Sequence, residues 1–327
     1  MVSPVSIDVV IPVYGGVGTL RSVVSEVLMG AEGTTEGGID YVINEIILVW
    51  DHGIDDSPTV MQKLERESVQ VRSVWLMKNF GQHAATLAGI ASSGSDWIIT
   101  IDEDGQHDPS YIPRMLDHAF AERCRLVYFS PTNKPPHGMV RNAGSRFAKW
   151  IFRVLSAGHA AESFNSFRLV HGEAARTVSA YTGPGVYLDV ALGWVCATMT
   201  TCPGLVRTEG RPATSYTYRK LASHAFKMVV SSGTRPLRLI AMFGLVLGVI
   251  GFLLAGIVVY ERIFQAIPVQ GWTSMMIVVL ITGGAILLSL SVIAEYLGIA
   301  VSAAMGKPLY ALGKPDSEVF GEPRIKS

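Results

Sequence analysis

The sequence of 327 residues predicts an α/β domain with a mostly parallel sheet, followed by interfacial helices and a two-helix transmembrane hairpin. Three observations support this prediction. Short apolar runs alternate with segments of helical spacing over the first part of the chain. These runs end in polar or glycine-rich turns, and two long uncharged stretches follow near the C-terminus. Alternating strands and helices of this length are typical of a parallel sheet that is covered on both faces.

The strands are predicted from short, β-branched apolar runs that stop abruptly. They are Ile7–Val13, Glu45–Trp50, Val71–Leu76 and Trp97–Ile101. Helical spacing follows at Thr19–Met29, at Gln82–Ala91 and from Pro109, a residue type that suits a first helical turn. Because parallel strands end at one edge of a sheet, the residues that follow them should cluster there. These residues are Tyr14, Asp51, Lys78 and Asp104.

The fourth predicted strand ends in Asp102-Glu103-Asp104. Alternate residues of an extended segment project to the same side, so Asp102 and Asp104 can address one ligand. Two hard oxygen donors suit Mg²⁺ or Mn²⁺ bridging a diphosphate. The same spacing is common in solvated loops, and it is the clustering of the strand ends that favours a ligand site.

Two segments near the C-terminus are long enough to cross a bilayer as helices. Leu239–Tyr260 has no charged residue over 22 positions, and Trp272–Ala294 has none over 23. Buried core helices are the alternative, but uncharged stretches of this length are rare in soluble domains. We expect spans at about 238–260 and 272–297.

The flanking charges predict the orientation of the hairpin. Seven Lys or Arg residues lie between Arg207 and Arg238, against one acid, Glu209, and the connector Glu261–Gly271 carries only Arg262. The positive-inside rule then places both ends of the hairpin in the cytoplasm. We expect a multi-pass inner-membrane protein with a cytoplasmic catalytic domain. Its predicted parts are residues 1–206 (catalytic), 207–236 (interfacial), 237–304 (spans) and 305–327 (tail).

Composition excludes several other classes. The charge is balanced at 27 basic and 27 acidic residues, so no nucleic-acid partner is indicated. Three cysteines without CxxC spacing predict neither a disulfide framework nor a zinc site. Neither a GxxxxGK[ST] nor a GxGxxG motif is present.

Four segments carry a resemblance to a known family. They are Asp8–Tyr14 (DVVIPVY), Asp51–Ser57 (DHGIDDS), Lys78–Gly89 (KNFGQHAATLAG) and Asp102–Pro109 (DEDGQHDP). With these segments the chain resembles the family 2 inverting glycosyltransferases with a GT-A fold. More narrowly, it is similar to the polyprenyl-phosphate glycosyltransferases, the dolichol-phosphate-mannose-synthase-like and bactoprenol-glucosyltransferase-like group. The resemblance covers nearly the whole chain, including the two predicted spans.

The resemblance implies transfer of a sugar from a UDP- or GDP-linked donor to polyprenyl (undecaprenyl) phosphate by a homo-oligomer, a tetramer. Nucleotide-sugar contacts are implied for Pro12, Tyr14, Asp51, Asp56, Lys78, Gly81, Asp102 and Glu103. Asp104 and Asp102 would hold Mg²⁺ or Mn²⁺, and the catalytic residues would be Asp102, Asp104, Gln106 and Arg141. The acceptor phosphate would meet Arg141, Arg168, Arg211, Arg219 and Lys220.

The chain also departs from the family pattern. His52 stands where Asp or Asn is usual, Ile54 replaces Ser, and Gly15-Gly16 replaces Asn-Glu. A carboxylate often precedes Phe-Arg-Leu in the family, and here Ser166 holds that place. We expect His83 and His107 to fill polar loop positions.

Two other functions are weighed against the transferase. A polysaccharide synthase of the same fold would resemble proteins with a QxxRW motif and more spans, and neither feature is present. A catalytically degenerate, membrane-anchored nucleotide-sugar-binding scaffold is the alternative outside enzymes.

Overall fold

The computed structural model describes residues 3–133, 164–207, 235–264, 271–315 and 318–319. Within these ranges the chain forms one eight-stranded sheet. Its strands are β1 (Val5–Val13), β2 (Glu32–Thr34), β3 (Asp40–Trp50), β4 (Val71–Trp75), β5 (Trp97–Thr100), β6 (Leu126–Pro131), β7 (Arg168–His171) and β8 (Thr200–Gly204). The order is β2-β3-β1-β5-β7-β6-β8, and β4 pairs with the C-terminal half of β3.

Helices cover both faces of the sheet. They are α1 (Leu20–Met29), α2 (Ser57–Glu67), α3 (Gln82–Ala91), α4 (Ile112–Ala121, after a 3₁₀ turn at Pro109–Tyr111), α5 (Gly172–Tyr181) and α6 (Leu188–Val195). Side chains of α1, α2 and α4 pack on one face, and those of α3, α5 and α6 on the other. In β1, Val9 faces the first layer and Val10 the second. Two buried faces explain the uninterrupted apolar runs of the central strands.

The sheet is mixed, which corrects part of the fold prediction. Strands β1, β3, β4 and β5 are mutually parallel, as expected. Strand β7, however, lies antiparallel between β5 and β6, and β2 is antiparallel to β3. The apolar pattern of a short strand does not encode its direction, because either direction buries the same side chains.

Two long helices follow: α7 (Arg235–Phe264) and α8 (Trp272–Ala304). Among the described residues, one segment is long and apolar enough to cross a membrane, Ile281–Ala304, with mean hydropathy 2.0 and no buried part. The apolar stretch found in α7, Ile240–Leu254, is shorter. The predicted helices are therefore present, but the two-span hairpin is not confirmed.

Helix α8 and the tail that follows it each contact the α/β domain at one place. A Cβ atom on Gly185, in the loop before α6, would lie 3.1 Å from Cγ1 of Ile299. Beyond the helix, the chain returns to the end of β4, where Leu312 bridges Leu76 in an antiparallel sense. The Met77 amide donates to the Ala311 carbonyl oxygen at 2.9 Å there. The C-terminal tail thus extends the sheet beside the loop that follows β4.

Candidate active site

Four loops meet at the carboxyl edge of the sheet, where β1, β3, β4 and β5 end. Strand β1 brings buried Pro12 to this edge, opposite Val49 of β3. Tyr14 follows, with 45% of its surface exposed. A Cβ atom on Gly53 would lie 1.6 Å from the Tyr14 carbonyl oxygen, so the loop after β3 can approach the loop after β1 only with glycine here.

Glu103 ties the loop after β5 to the loop after β1. Its two carboxylate oxygens accept from the amides of Tyr14 (3.1 Å) and Gly15 (2.9 Å). A Cβ atom on Gly16 would lie 2.4 Å from Glu103 Oε2. Gly16 therefore has a steric reason, since its missing side chain leaves room for the Glu103 carboxylate. A contact between Glu103 and the nucleotide remains a prediction.

Asp51 orders the loop that follows β4. It is 3% exposed, and its oxygens accept from the amides of Phe80 (2.7 Å) and Gly81 (2.9 Å). Gly81 has φ +92°, a left-handed conformation that favours glycine. Burial raises the pKa of Asp51, and the two amide hydrogen bonds oppose this shift. Lys78 is exposed in the same loop, with Nζ 5.1 Å from the centroid of the Phe80 ring.

In the turn after β3, the inward-facing carboxylate is Asp55, which the sequence interpretation missed. Asp55 Oδ2 accepts from the Val17 amide at 3.1 Å, which links the turn to the loop after β1. Asp56 is exposed at the start of α2 and accepts from Thr59 Oγ1 at 2.7 Å. Adjacent carboxylates in one turn give no sequence signal of which one points inward, and a nucleotide contact by Asp56 remains a prediction.

His52 adopts a conformation that explains its departure from the family pattern. Its φ is 50°, in the left-handed region where Asn, Asp and His are the enriched non-glycine residues. Its Nδ1 lies 2.9 Å from the carbonyl oxygen of Leu76, at the end of β4. The histidine therefore keeps the backbone turn that Asp or Asn would adopt.

The acidic pair lies at the centre of these loops, and both of its members are half-buried. Asp102 Oδ1 accepts from Gln82 Nε2 at 2.6 Å, and Oδ2 accepts from Ser166 Oγ at 2.5 Å. Burial raises the pKa of Asp102, and the Ser166 hydrogen bond opposes the shift. Asp104 Oδ1 accepts from the Gln106 amide at 3.1 Å. Within the described ranges, Asp104 Oδ2 accepts no hydrogen bond.

His107 packs beneath this pair. It is 8% exposed, and its ring centroid lies 5.7 Å from that of Phe129 and 5.4 Å from that of Phe167. Burial lowers the pKa of His107, although the nearby Asp102 and Asp104 carboxylates oppose the shift. The expectation that His107 fills a polar loop position is therefore wrong, because its ring is buried against two aromatic rings.

The acidic pair fits a metal that is shared with a substrate. No cluster of three or more His, Cys, Asp or Glu side chains with metal-binding spacing occurs among the described residues. The carboxylates of Asp102 and Asp104 supply hard oxygen donors from one loop. Mg²⁺ is usually held by one or two carboxylates together with water and substrate phosphates. The donor set therefore suits Mg²⁺ or Mn²⁺ on a diphosphate and does not suit a closed structural site.

Arg168 has a different position from the one expected for an acceptor ligand. It is 3% exposed, its guanidinium pairs with Asp189, and its Nε donates to Thr100 Oγ1 at 3.1 Å. Tyr128 also donates to Asp189, at 2.9 Å. The structure thus uses Arg168 to join strands β7, β5 and helix α6, and does not present it to an acceptor.

The remaining predicted acceptor residues lie outside the described ranges. They are Arg141, Arg211, Arg219 and Lys220. The site nevertheless includes two residues that the sequence interpretation missed, Gln82 and Ser166, which hold Asp102. The family pattern contained one signal for Ser166, because it stands where a carboxylate is usual.

Residues 8–178 match the family model described as glycosyl transferase family 2. This match spans slightly more than half of the chain. The chain belongs to glycosyl transferase family 2. The loops described above all lie within the matched residues, whereas helices α7 and α8 lie outside them.

Curated relatives of this family 2 chain extend over most of its length. A bactoprenol glucosyl transferase of Shigella phage SfX is 25% identical over 272 residues, covering 82% of this chain and 88% of the relative. An undecaprenyl-phosphate 4-deoxy-4-formamido-L-arabinose transferase of Salmonella choleraesuis is 24% identical over 325 residues, covering 97% and 96%. Among solved structures, glucosyl-3-phosphoglycerate synthase from Mycobacterium tuberculosis, in complex with Mn²⁺, UDP-glucose and phosphoglyceric acid, has a TM-score of 0.46. Its sequence identity is 15%, and the match covers 70% of this chain and 79% of that one.

Proposed function

We propose that this chain is an inverting glycosyltransferase that moves a sugar from a UDP- or GDP-linked donor to polyprenyl phosphate, for synthesis or modification of cell-envelope glycans. The single observation that carries the proposal is the attachment of the domain with the acidic pair to an apolar helix. The domain that bears Asp102 and Asp104 contacts α8 at Ile299 and again through the tail at Leu312. A soluble donor and a lipid acceptor would meet at such a boundary. The names of the two relatives support the same acceptor class.

The donor would lie across the four loops at the carboxyl edge. Asp51 shapes the loop that carries Lys78 and Gly81, and Glu103 fixes the loop after β1. Asp102 and Asp104 would hold Mg²⁺ or Mn²⁺, which when bound neutralises charge on a departing nucleoside diphosphate. Gln82 and Ser166 would keep Asp102 in the orientation that this task needs.

The acceptor chemistry is compatible with a serine at position 166. A phosphate monoester has its second pKa near 6, so its oxygen is already anionic at neutral pH. That oxygen would form the bond to the anomeric carbon as the bond to the nucleoside diphosphate breaks, which inverts the configuration. No proton has to be removed, so this reaction does not need the factor of about 10²–10⁴ that a general base typically supplies.

Basic residues would bring the two anions together. Guanidinium groups bind phosphate oxygens in a bidentate manner, and this supports roles for Arg141, Arg211 and Arg219, with Lys220 beside them. The charges that flank α7 and α8 support two membrane crossings with the catalytic domain on the cytoplasmic face of the inner membrane. A homo-oligomer, a tetramer, is part of the same proposal.

The decisive experiment incubates membranes containing the full chain with labelled UDP- and GDP-sugars, undecaprenyl phosphate and Mn²⁺ or Mg²⁺. We expect a lipid-linked monosaccharide that disappears with chelator and with the Asp104→Asn variant. The proposal fails if none of the donors yields such a product. Isothermal titration together with the transfer assay distinguishes the scaffold alternative. A scaffold would bind a nucleotide sugar with Mn²⁺ but would transfer no sugar from it.

A further inference from the structure

Arg207 makes three bonds that connect the acidic loop to the start of the segment expected to bind the acceptor. Its Nη1 lies 2.7 Å from Glu26 Oε2 on α1, and its Nη2 lies 3.0 Å from Asp108 Oδ2. Its backbone amide donates to the carbonyl oxygen of Gln106 at 2.9 Å. Gln106 in turn donates its own amide to Asp104. A continuous set of contacts therefore runs from Arg207 to the acidic pair.

The two residues before Arg207 are fixed as well. The Leu205 amide donates to the hydroxyl of Tyr111 at 3.1 Å. Val206 exchanges two hydrogen bonds with the side chain of Asn133, at 2.7 and 3.1 Å. The chain is thus held residue by residue up to Arg207. The sequence that follows carries the basic residues of the predicted interfacial segment.

The environment of Arg207 argues against a direct role in phosphate binding. Two carboxylates, on Glu26 and Asp108, share its guanidinium, so its positive charge is already neutralised. Its side chain is 37% exposed, so each ion pair alone adds little to global stability. The forked geometry of guanidinium, by contrast, fixes both partners at defined positions, which a lysine ammonium cannot do equally well.

We propose that Arg207 is a positioning residue that holds the loop of Asp104, Gln106 and Asp108 against helix α1, at the start of the predicted interfacial segment 207–236. This inference rests on the proposed function, because it assigns that segment to the acceptor. Loss of the Arg207 side chain frees the Glu26 and Asp108 carboxylates together, which loosens the loop that carries the metal-binding carboxylate even though the backbone bond to Gln106 remains. Partners that orient metal ligands typically contribute about 10–100-fold in metal affinity or activity.

The test compares Arg207→Gln with Arg21→Gln in the full-length chain. Arg21 is a matched control, because it lies on the same helix as Glu26 and pairs with Glu67 at the same Nη1–Oε2 distance of 2.7 Å. We expect Arg207→Gln to weaken binding of Mn²⁺ alone, measured by electron paramagnetic resonance, about tenfold. At saturating Mn²⁺ we also expect a lower kcat with an unchanged donor KM, and faster hydrogen exchange in a peptide spanning residues 102–112. Arg21→Gln should behave as wild type in all three measurements.

Further variants separate the alternatives. Glu26→Gln should reproduce part of the effect, and the Glu26→Gln/Arg207→Gln double variant should be no worse than Arg207→Gln alone. The inference is overturned if Arg207→Gln and Arg21→Gln have the same Mn²⁺ affinity and exchange rates. It is also overturned if Arg207→Gln raises only the acceptor KM, since that result makes Arg207 a direct phosphate ligand. If wild-type chain forms no lipid-linked sugar, the proposed function fails, whereas exchange and Mn²⁺ binding still decide the role of Arg207.

Discussion

The two edges of the same sheet use aspartate in opposite ways. At the amino edge, Asp8 of β1 is 1% exposed, and its two oxygens accept four hydrogen bonds. Oδ2 accepts from Ser93 Oγ (2.6 Å) and from the amides of Gly94 (3.0 Å) and Ser95 (3.1 Å), and Oδ1 accepts from Ser95 Oγ (2.8 Å). All four donors belong to one short turn before β5. Asp8 therefore fixes the turn before β5, and its burial keeps it away from any ligand in solution.

At the carboxyl edge the carboxylates are less completely bonded. The partners of Asp102 are two side chains from separate elements, Gln82 and Ser166, and side chains can change rotamer. Asp104 Oδ1 accepts one hydrogen bond from a backbone amide. Within the described residues, Oδ2 of Asp104 accepts none. In this comparison the structural carboxylate is the buried one whose four donors come from a single turn, whereas the proposed functional pair is half-buried and has fewer donors.

Asp104→Asn should break the functional edge with the largest effect. Loss of a metal-binding carboxylate should lower sugar transfer by at least about 10²-fold, since even partners of ligands contribute that much. Stability should change by less than about 0.5 kcal/mol, because no bonded network is lost. Transfer assays and thermal unfolding of the same preparation check both expectations. A large drop in melting temperature would show that Asp104 is structural.

Asp8→Ala should break the opposite edge. Four donors around residues 93–95 would lose their acceptor, and buried unsatisfied groups cost about 1–3 kcal/mol each when water cannot replace the partner. We expect the free energy of unfolding to fall by about 2 kcal/mol or more. The activity per folded molecule should be preserved, as measured by denaturant titration and by transfer rate normalised to folded protein. A selective loss of kcat without destabilisation would contradict the comparison.

Ser166→Ala tests the partial bonding of Asp102. The variant removes the donor to Asp102 Oδ2 but leaves the Gln82 contact in place. We expect transfer to fall about tenfold through misorientation of the carboxylate. Ser166→Asp restores a carboxylate at the position that the family often uses, and it should not recover activity if the acceptor phosphate needs no base. A gain in activity for Ser166→Asp would contradict this reading of the acceptor chemistry.

How much of this could be predicted from sequence depends on how local the signal is. Strands β1, β4 and β5 were located to within a few residues, because continuous apolar runs define them. Strand β3 begins at Asp40, earlier than the expected Glu45, because its first residues alternate between buried and exposed positions. Strand β8 contains Pro203 and Gly204, which weaken any strand pattern. Its position depends on pairing with β6, which no local pattern records.

The candidate site shows the same limit. The acidic pair was identifiable, because the strand end and the carboxylates are adjacent in sequence. The role of Arg168 was not, because its partner Asp189 is 21 positions away in another element. Gln82 gave no signal, and Ser166 was noticed only as a departure from the family pattern, since each meets Asp102 only in the folded chain. Bonds between distant elements decide whether a polar residue is structural or exposed to substrate, and a single sequence carries no direct record of them.

The smallest expected effect concerns His171, at the amino edge. Burial lowers the pKa of this histidine, with a contribution from Arg125, while Glu173 and Asp96 oppose the shift and Arg176 reinforces it. The folded chain therefore holds the proton less tightly than the unfolded chain, whose histidine pKa is near 6.5. Stability should accordingly be lost as the pH falls below about 6.5, because the unfolded state then binds more protons.

The His171→Gln variant removes this titration. Its free energy of unfolding should change less between pH 7 and pH 5 than that of the wild type, as measured by urea titration at each pH. The difference should stay near or below about 1.4 kcal/mol, the equivalent of one pKa unit. His118→Gln, in helix α4, supplies the control substitution of a second histidine. Equal pH dependence of the free energy of unfolding in wild type and His171→Gln would contradict this prediction. It would show that the amino edge of the sheet tolerates a charged histidine.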